Sequence, residues 1–247
     1  MNDSTTKNLA LSHMWVAFTA FIVACFMGEF QVLERSGLFE SLSSISIYFA
    51  SVSTHGVLMA FVLTTFFIMG FGYHTASSSL KVPIWNPKLA WAGFAIALTG
   101  VVMAAVPLLS GLASVLYTFY PPVTAHSAFY IGATLLVIGS WVWCAIMVVM
   151  FYQWKKANPG KTVPLAMFAT TANALLWLWT SAGVAIEVLF QLIPLALGWM
   201  DTVDPGLART LFAWTLHPIV YFWLIPAYIA FYSFVPKQAG SYLFSEE

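Results

Sequence analysis

The sequence predicts an all-α protein, a polytopic transmembrane helix bundle, and three observations carry that prediction. Hydrophobic residues make up 61% of the chain and charged residues 7%, whereas a soluble domain has roughly a quarter of its residues charged. A surface so poor in charge, with a mean hydropathy of +0.86, must face lipid. Six apolar runs follow one another, each at or above the roughly 20 residues that a bilayer helix needs. Basic residues alternate between the loops that join them.

The runs are Met14–Leu33, Ile45–Tyr73, Leu89–Leu109, His126–Tyr152, Met167–Gly198 and Leu207–Val235. The first follows a polar stretch, Met1 to Lys7, and no A-x-A cleavage site follows it, so it reads as a retained helix and not a signal peptide. The second is held apart from the third by the short linker Val82–Lys88. Between Lys88 and Lys155 there is no Asp, Glu, Lys or Arg, yet Gly111, Pro121 and Pro122 break the run, so the third and fourth helices form a pair that turns at an interface. The loop Lys155–Pro164 precedes the fifth span, and Arg209 stands near the start of the sixth. Neither linker reads as a domain boundary and no fixed-period repeat is visible, so residues 1–247 form a single transmembrane domain.

The formal net charge of +0 gives no reason to expect a nucleic-acid partner. Cys25 and Cys144 lie in apolar runs with no C-x-x-C spacing, which assigns both to packing, with neither a disulfide nor a covalent cofactor attachment. Lys7, Lys81, Lys88, Lys155, Lys156, Lys161 and Lys237 fall on one side of the membrane, and only Arg35 and Arg209 on the other. The positive-inside rule then puts both termini in the cytoplasm. In that orientation the helices carrying His55 and His217 both run inwards from outside.

An ionisable side chain at depth in a membrane is costly, and function is the default explanation for its presence. His217 lies eight residues past Arg209, roughly 12 Å inside the outer end of its helix. Tyr221 is one turn deeper on the same face, so imidazole and phenol can serve one centre. Tyr228 and Tyr232 follow seven and eleven residues after Tyr221, and all three stay within about 20° of one line. They form a hydroxyl stripe towards the cytoplasm, with an aromatic ridge and interface belt as the competing reading. His55 follows Ser51-Val-Ser-Thr and precedes Gly56, so a wide planar group could approach beside a nitrogen ligand. The alternative is a histidine hydrogen-bonded to a neighbouring helix. Glu187, well inside the fifth span, is either a possible proton relay or a structural hydrogen bond to an adjacent helix. His126 belongs at the outer interface, and it, His13 and His74 are expected to be structural.

The stretch from Arg209 to Tyr228 resembles the sixth helix of subunit I of the haem-copper oxidases, whose H-P-x-V-Y motif stands here as His217-Pro218-Ile219-Val220-Tyr221. Also similar are S-T-H-G-V-L around His55, the L-Y-T-F-Y-P-P run containing Tyr117 to Pro122, N-P-G-K at Asn158 to Lys161, and V-P-K-Q-A-G at Val235 to Gly240. The resemblance implies that His217 is a ligand of the active-site copper and that Tyr221, bonded to it, supplies a proton and an electron for O–O cleavage. It implies that His55 is an axial ligand of the low-spin haem iron. Ile219, where the A-type enzymes usually carry a glutamate, points to the B-type, in which Tyr221, Tyr228 and Tyr232 would belong to one proton pathway. Nitric oxide reductases of the same superfamily generally lack a tyrosine at the position of Tyr221, which favours dioxygen as substrate. One departure is Leu216, where many members carry glycine.

Members of the family have twelve or more helices. Their second half supplies the other copper histidines, the high-spin haem ligand and the second ligand of the low-spin haem. The sequence is therefore expected to be the amino-terminal portion of such a subunit and inactive alone. The implied cofactors are haem, low-spin and high-spin, and copper. The implied partners are oxidase subunit II, cytochrome c as electron donor, dioxygen, the lipid bilayer of a prokaryotic plasma membrane and the missing carboxy-terminal half. The implied function is reduction of dioxygen to water coupled to proton translocation. The alternatives are a membrane proton transporter or channel, a nitric oxide reductase-like member of the superfamily, and a scaffold without chemistry.

Overall fold

The computed structural model describes residues 4–38, 44–116 and 118–243. Within them stand six helices long and apolar enough to cross a membrane: α1 Ser4–Arg35, α2 Ile45–Leu80, α3 Pro87–Leu109, α4 Ser127–Ala157, α5 Leu165–Ala196 and α6 Pro205–Gln238. All six expected spans are present, and the protein is an integral membrane bundle. Most of the helices overshoot the apolar runs, because a helix can continue into the interface until a cap stops it. Ser44 accepts from the Ile47 N–H, Asn86 from Leu89 N–H, and Asp204 from the N–H groups of Gly206 and Leu207. Each satisfies donors that the first helical turn leaves unpaired. At its other end α2 stops at Lys81, which takes the left-handed conformation with φ of 57°.

Lipid gives apolar helices no reason to associate by burial alone, so close packing decides which neighbours meet. The α3–α4 pair meets through glycines at heptad spacing, Gly93 and Gly100 against Gly132 and Gly139. A Cβ on Gly100 would stand 2.4 Å from the Gly132 carbonyl oxygen, and one on Gly132 would stand 2.5 Å from that of Gly100. Backbone lies against backbone, so no side chain can move aside. Gly132→Leu is expected to cost roughly 1–3 kcal/mol or more. Thermal unfolding in detergent would read this as a lowered midpoint.

The α5–α6 contact is closed by polar bonds as well. Gly183 lets α5 approach α6 so nearly that a Cβ would lie 2.5 Å from the Leu211 carbonyl oxygen. Pro226, inside α6, has no N–H to give the Phe222 carbonyl four residues earlier. That carbonyl instead accepts from Asn173 Nδ2 of α5 at 3.2 Å. Trp177 stacks on Phe222 with ring centroids 4.5 Å apart. The buried residues of α6, Ala208, Phe212, Thr215, Ile219, Phe222, Pro226 and Ile229, lie on one side of the helix, the side that carries this contact. Only 22% of the membrane window of α6 is buried, against 50% for α2 and α5, so the other face of α6 is open.

Two helices widen into π-helical turns, α2 at Leu58–Leu63 and α5 at Val188–Leu192. Such turns are rare and gather at functional sites. Here one begins three residues after His55 and the other directly after Glu187. Cys144 is buried as expected, but Cys25 is exposed. The assignment of Cys25 to packing is corrected: it lies on the outward side of α1, where an apolar run offers no clue to facing. Both thiols are free.

Candidate functional site

His217 and Tyr221 are brought together one turn apart on α6, with His217 Nε2 3.1 Å from the Tyr221 Oη and ring centroids 5.1 Å apart. The i, i+4 spacing places them on one side of the helix, and the phenol meets the imidazole edge to face. Both are on the open face. Tyr221, Tyr228 and Tyr232 are 49%, 52% and 57% exposed, opposite the seam that packs on α5. Among the described residues nothing covers this face. No group of three His, Cys, Asp or Glu side chains gathers there or elsewhere in the described residues.

His55 of α2 is held differently. Its Nδ1 lies 2.8 Å from the Ala24 carbonyl oxygen of α1, and a carbonyl can only accept, so Nδ1 carries the proton and Nε2 keeps its lone pair. The alternative expected from sequence, a hydrogen bond to a neighbouring helix, is thus present at one nitrogen and leaves the other for a ligand role. Gly28 makes room: a Cβ there would stand 3.0 Å from His55 Cε1. His55 and Gly56 line a groove of about 420 Å³ closed on the α6 side by Phe212, Leu216, Ile219 and Trp223. A flat apolar group with one axial nitrogen ligand fits this lining. His217 is not among the residues of the groove, so the structure does not bring the two candidate histidines into one cavity. A larger apolar hollow of about 560 Å³ holds none of the candidate residues.

The Ser/Thr approach to His55 has a local use. Ser53 Oγ accepts from Leu116 N–H at 3.1 Å, fastening the α3–α4 connection, where Leu116 has φ of 56°, onto α2. Tyr117, quoted among the family-like residues, lies outside the described residues. His126 caps α4 by accepting from Ala128 N–H at 3.2 Å. His13 is buried, with Nδ1 bonded to the Leu9 carbonyl, and His74 is exposed. Glu187 is fully buried, and neither carboxyl oxygen has a hydrogen-bond partner among the described residues; the structural bond to an adjacent helix is not formed.

Sequence reasoning passed over Thr215. Its hydroxyl donates to the Thr180 carbonyl at 2.8 Å and accepts from Val184 N–H at 2.9 Å. Residues 180 and 184 are an i, i+4 pair, so a side chain of α6 stands in the backbone ladder of α5, two residues from His217. The only trace in the sequence is a threonine between Trp214 and Leu216, because both partners are backbone atoms. Thr215→Val keeps the shape but orphans a buried N–H and C=O, an expected loss of about 1–3 kcal/mol. Thermal melts should show Thr215→Ser restoring most of it.

Six spans, an imidazole in an apolar groove and a histidine–tyrosine pair at depth define a polytopic membrane bundle of the kind that carries redox groups. The chain belongs to the family described as cytochrome c and quinol oxidase polypeptide I, whose sequence model matches residues 8–247. Cytochrome c oxidase subunit 1 of Thermus thermophilus is 40% identical over 246 residues, which cover 97% of this chain and 44% of that protein. A solved heme-copper terminal oxidase dimer, determined by cryo-EM, is similar with a TM-score of 0.88 and 42% identity, over 94% of this chain and 40% of that one. The chain thus spans less than half the length of these relatives.

Proposed function

We propose that this chain works as part of the catalytic subunit of a B-type terminal oxidase, which reduces dioxygen to water with electrons from cytochrome c and couples this to proton translocation. The observation that carries the reading is the 3.1 Å contact of His217 Nε2 with the Tyr221 hydroxyl at membrane depth. A neutral imidazole suits copper and haem iron alike. His217 would hold copper and His55 Nε2 would hold the low-spin haem iron, while the remaining ligands, including that of the high-spin haem, would come from chain beyond these residues. When bound, these groups supply electrons and a binding place for dioxygen.

The chain's own part in the chemistry is to orient ligands and move protons. The Ala24 carbonyl fixes the His55 ring and its tautomer. Tyr221 holds a proton on Oη beside the copper ligand, and Tyr228 and Tyr232, further along the same open face, hand protons up from the cytoplasmic side. Seven lysines on one side against two arginines on the other support cytoplasmic termini. Oxidase subunit II and the carboxy-terminal half of subunit I are the partners, and a prokaryotic plasma membrane the location.

The test is made on the full-length subunit in its complex. Reduced-minus-oxidised spectra, metal analysis and dioxygen consumption should show two haems, copper and turnover. A colourless, metal-free protein that conducts protons would replace this reading with a transporter. Nitric oxide consumption without dioxygen consumption would move the chain to the reductases.

A further inference from the structure

We infer that one face of α5 is a hydrated row that holds an exchangeable proton on Glu187. The row consists of Asn173, Thr180, Glu187 and Gln191, spaced seven, seven and four residues apart, so that helical periodicity keeps them near one line. Their exposures are 2%, 0%, 0% and 7%. Each has at least one buried oxygen without a hydrogen-bond partner: Asn173 Oδ1, Thr180 Oγ1, both oxygens of Glu187, and Gln191 Oε1. The eighteen residue steps from the first to the last rise roughly 27 Å, most of the roughly 30 Å hydrocarbon thickness.

The adjoining face of the same helix shows that such groups can be paired here. Trp177 Nε1 donates to Ser140 Oγ at 2.7 Å, and Trp141 Nε1 donates to Ser181 Oγ at 2.7 Å, so the bonds between α4 and α5 are matched donor to acceptor. On the row the unmatched atoms of Asn173, Glu187 and Gln191 are oxygens that accept, and the Thr180 hydroxyl can accept or donate. They are enclosed by this chain's own helices, so no side chain from a partner or from further chain can reach them. Heptad neighbours are about 10 Å apart along the axis, too far to bond one another. The species that fits is one small enough to enter the packing and able to donate more than once, which is water. A carboxyl group in that setting is best held as the neutral acid, with its own O–H as one more donor. The π-helical turn that starts at Val188 widens α5 at the carboxyl group, the point where the row would need most room.

This row is separate from the tyrosine stripe, which lies on the open face of α6. It rests on the oxidase reading only for what the proton is used for. The experiment is infrared spectroscopy of the full-length complex in lipid, comparing wild type with Glu187→Gln and Glu187→Asp. A protonated-carboxyl band that is lost in Glu187→Gln, displaced in Glu187→Asp and shifted within minutes of transfer to heavy water is the expected result. Thr180→Val and Gln191→Leu should slow that exchange by an order of magnitude, and Thr180→Ser should restore it. A band absent at Glu187, or one that does not exchange over hours, would overturn the row. Haem and copper content measured on the same samples separates the two conclusions, since normal content with no exchanging band sinks the row alone, and an exchanging band in metal-free protein sinks the oxidase reading alone.

Discussion

Tyr221→Phe in the full-length complex is expected to lower dioxygen turnover by at least about a hundredfold, the lower range for loss of a positioned proton donor, while leaving haem content unchanged. The two halves of that expectation have different causes. The phenol oxygen is the atom that meets His217 Nε2, at 3.1 Å, and it is the only atom the substitution removes. The ring is 49% exposed on the open face of α6, so the substitution leaves no cavity in the described packing and no orphaned partner on another helix. Turnover measured with an oxygen electrode, beside the reduced-minus-oxidised spectrum, checks both. Normal turnover would remove Tyr221 from the chemistry and leave the pair as an aromatic contact.

The second large effect is expected at His55. His55→Leu should abolish the low-spin haem signal altogether, because the substitution takes away the one imidazole lining the groove beside α6. It also removes the second hydrogen bond to the Ala24 carbonyl, at 2.8 Å, a loss of about 0.5–1.5 kcal/mol. The spectrum distinguishes these consequences. Loss of fold would lower every haem signal together, whereas loss of the axial ligand removes the low-spin one selectively. His55→Asn, which can still reach Ala24 through its amide N–H, should keep more of the stability and none of the low-spin signal.

Much of this was legible in the sequence because a bilayer reads composition simply. Six apolar runs became six helices, and the i, i+4 spacing of His217 and Tyr221 became a contact. Helix ends were harder to place, since Asn86 and Asp204 cap outside the apolar runs, where hydropathy carries no signal. The facing of a helix was harder still: Cys25 and the tyrosines sit in equally apolar stretches, and only packing shows that both point outwards. Glu187 stood out as a charge at depth, but its missing partner did not, because a pattern of residues cannot report a bond that is not made. Thr215 was hidden for the opposite reason, since its bonds go to the backbone and backbone atoms leave no pattern.

The grip of α5 on α6 has one more consequence. Thr215 and the Phe222 carbonyl are tied to α5 from one flank, while the opposite flank touches nothing in the described chain. A rod pinned twice along its length cannot turn about its own axis. The azimuth at which His217 and Tyr221 project is therefore set from behind, before anything arrives in front, and whatever docks against that bare flank meets a preorganised histidine–tyrosine pair and need not order it.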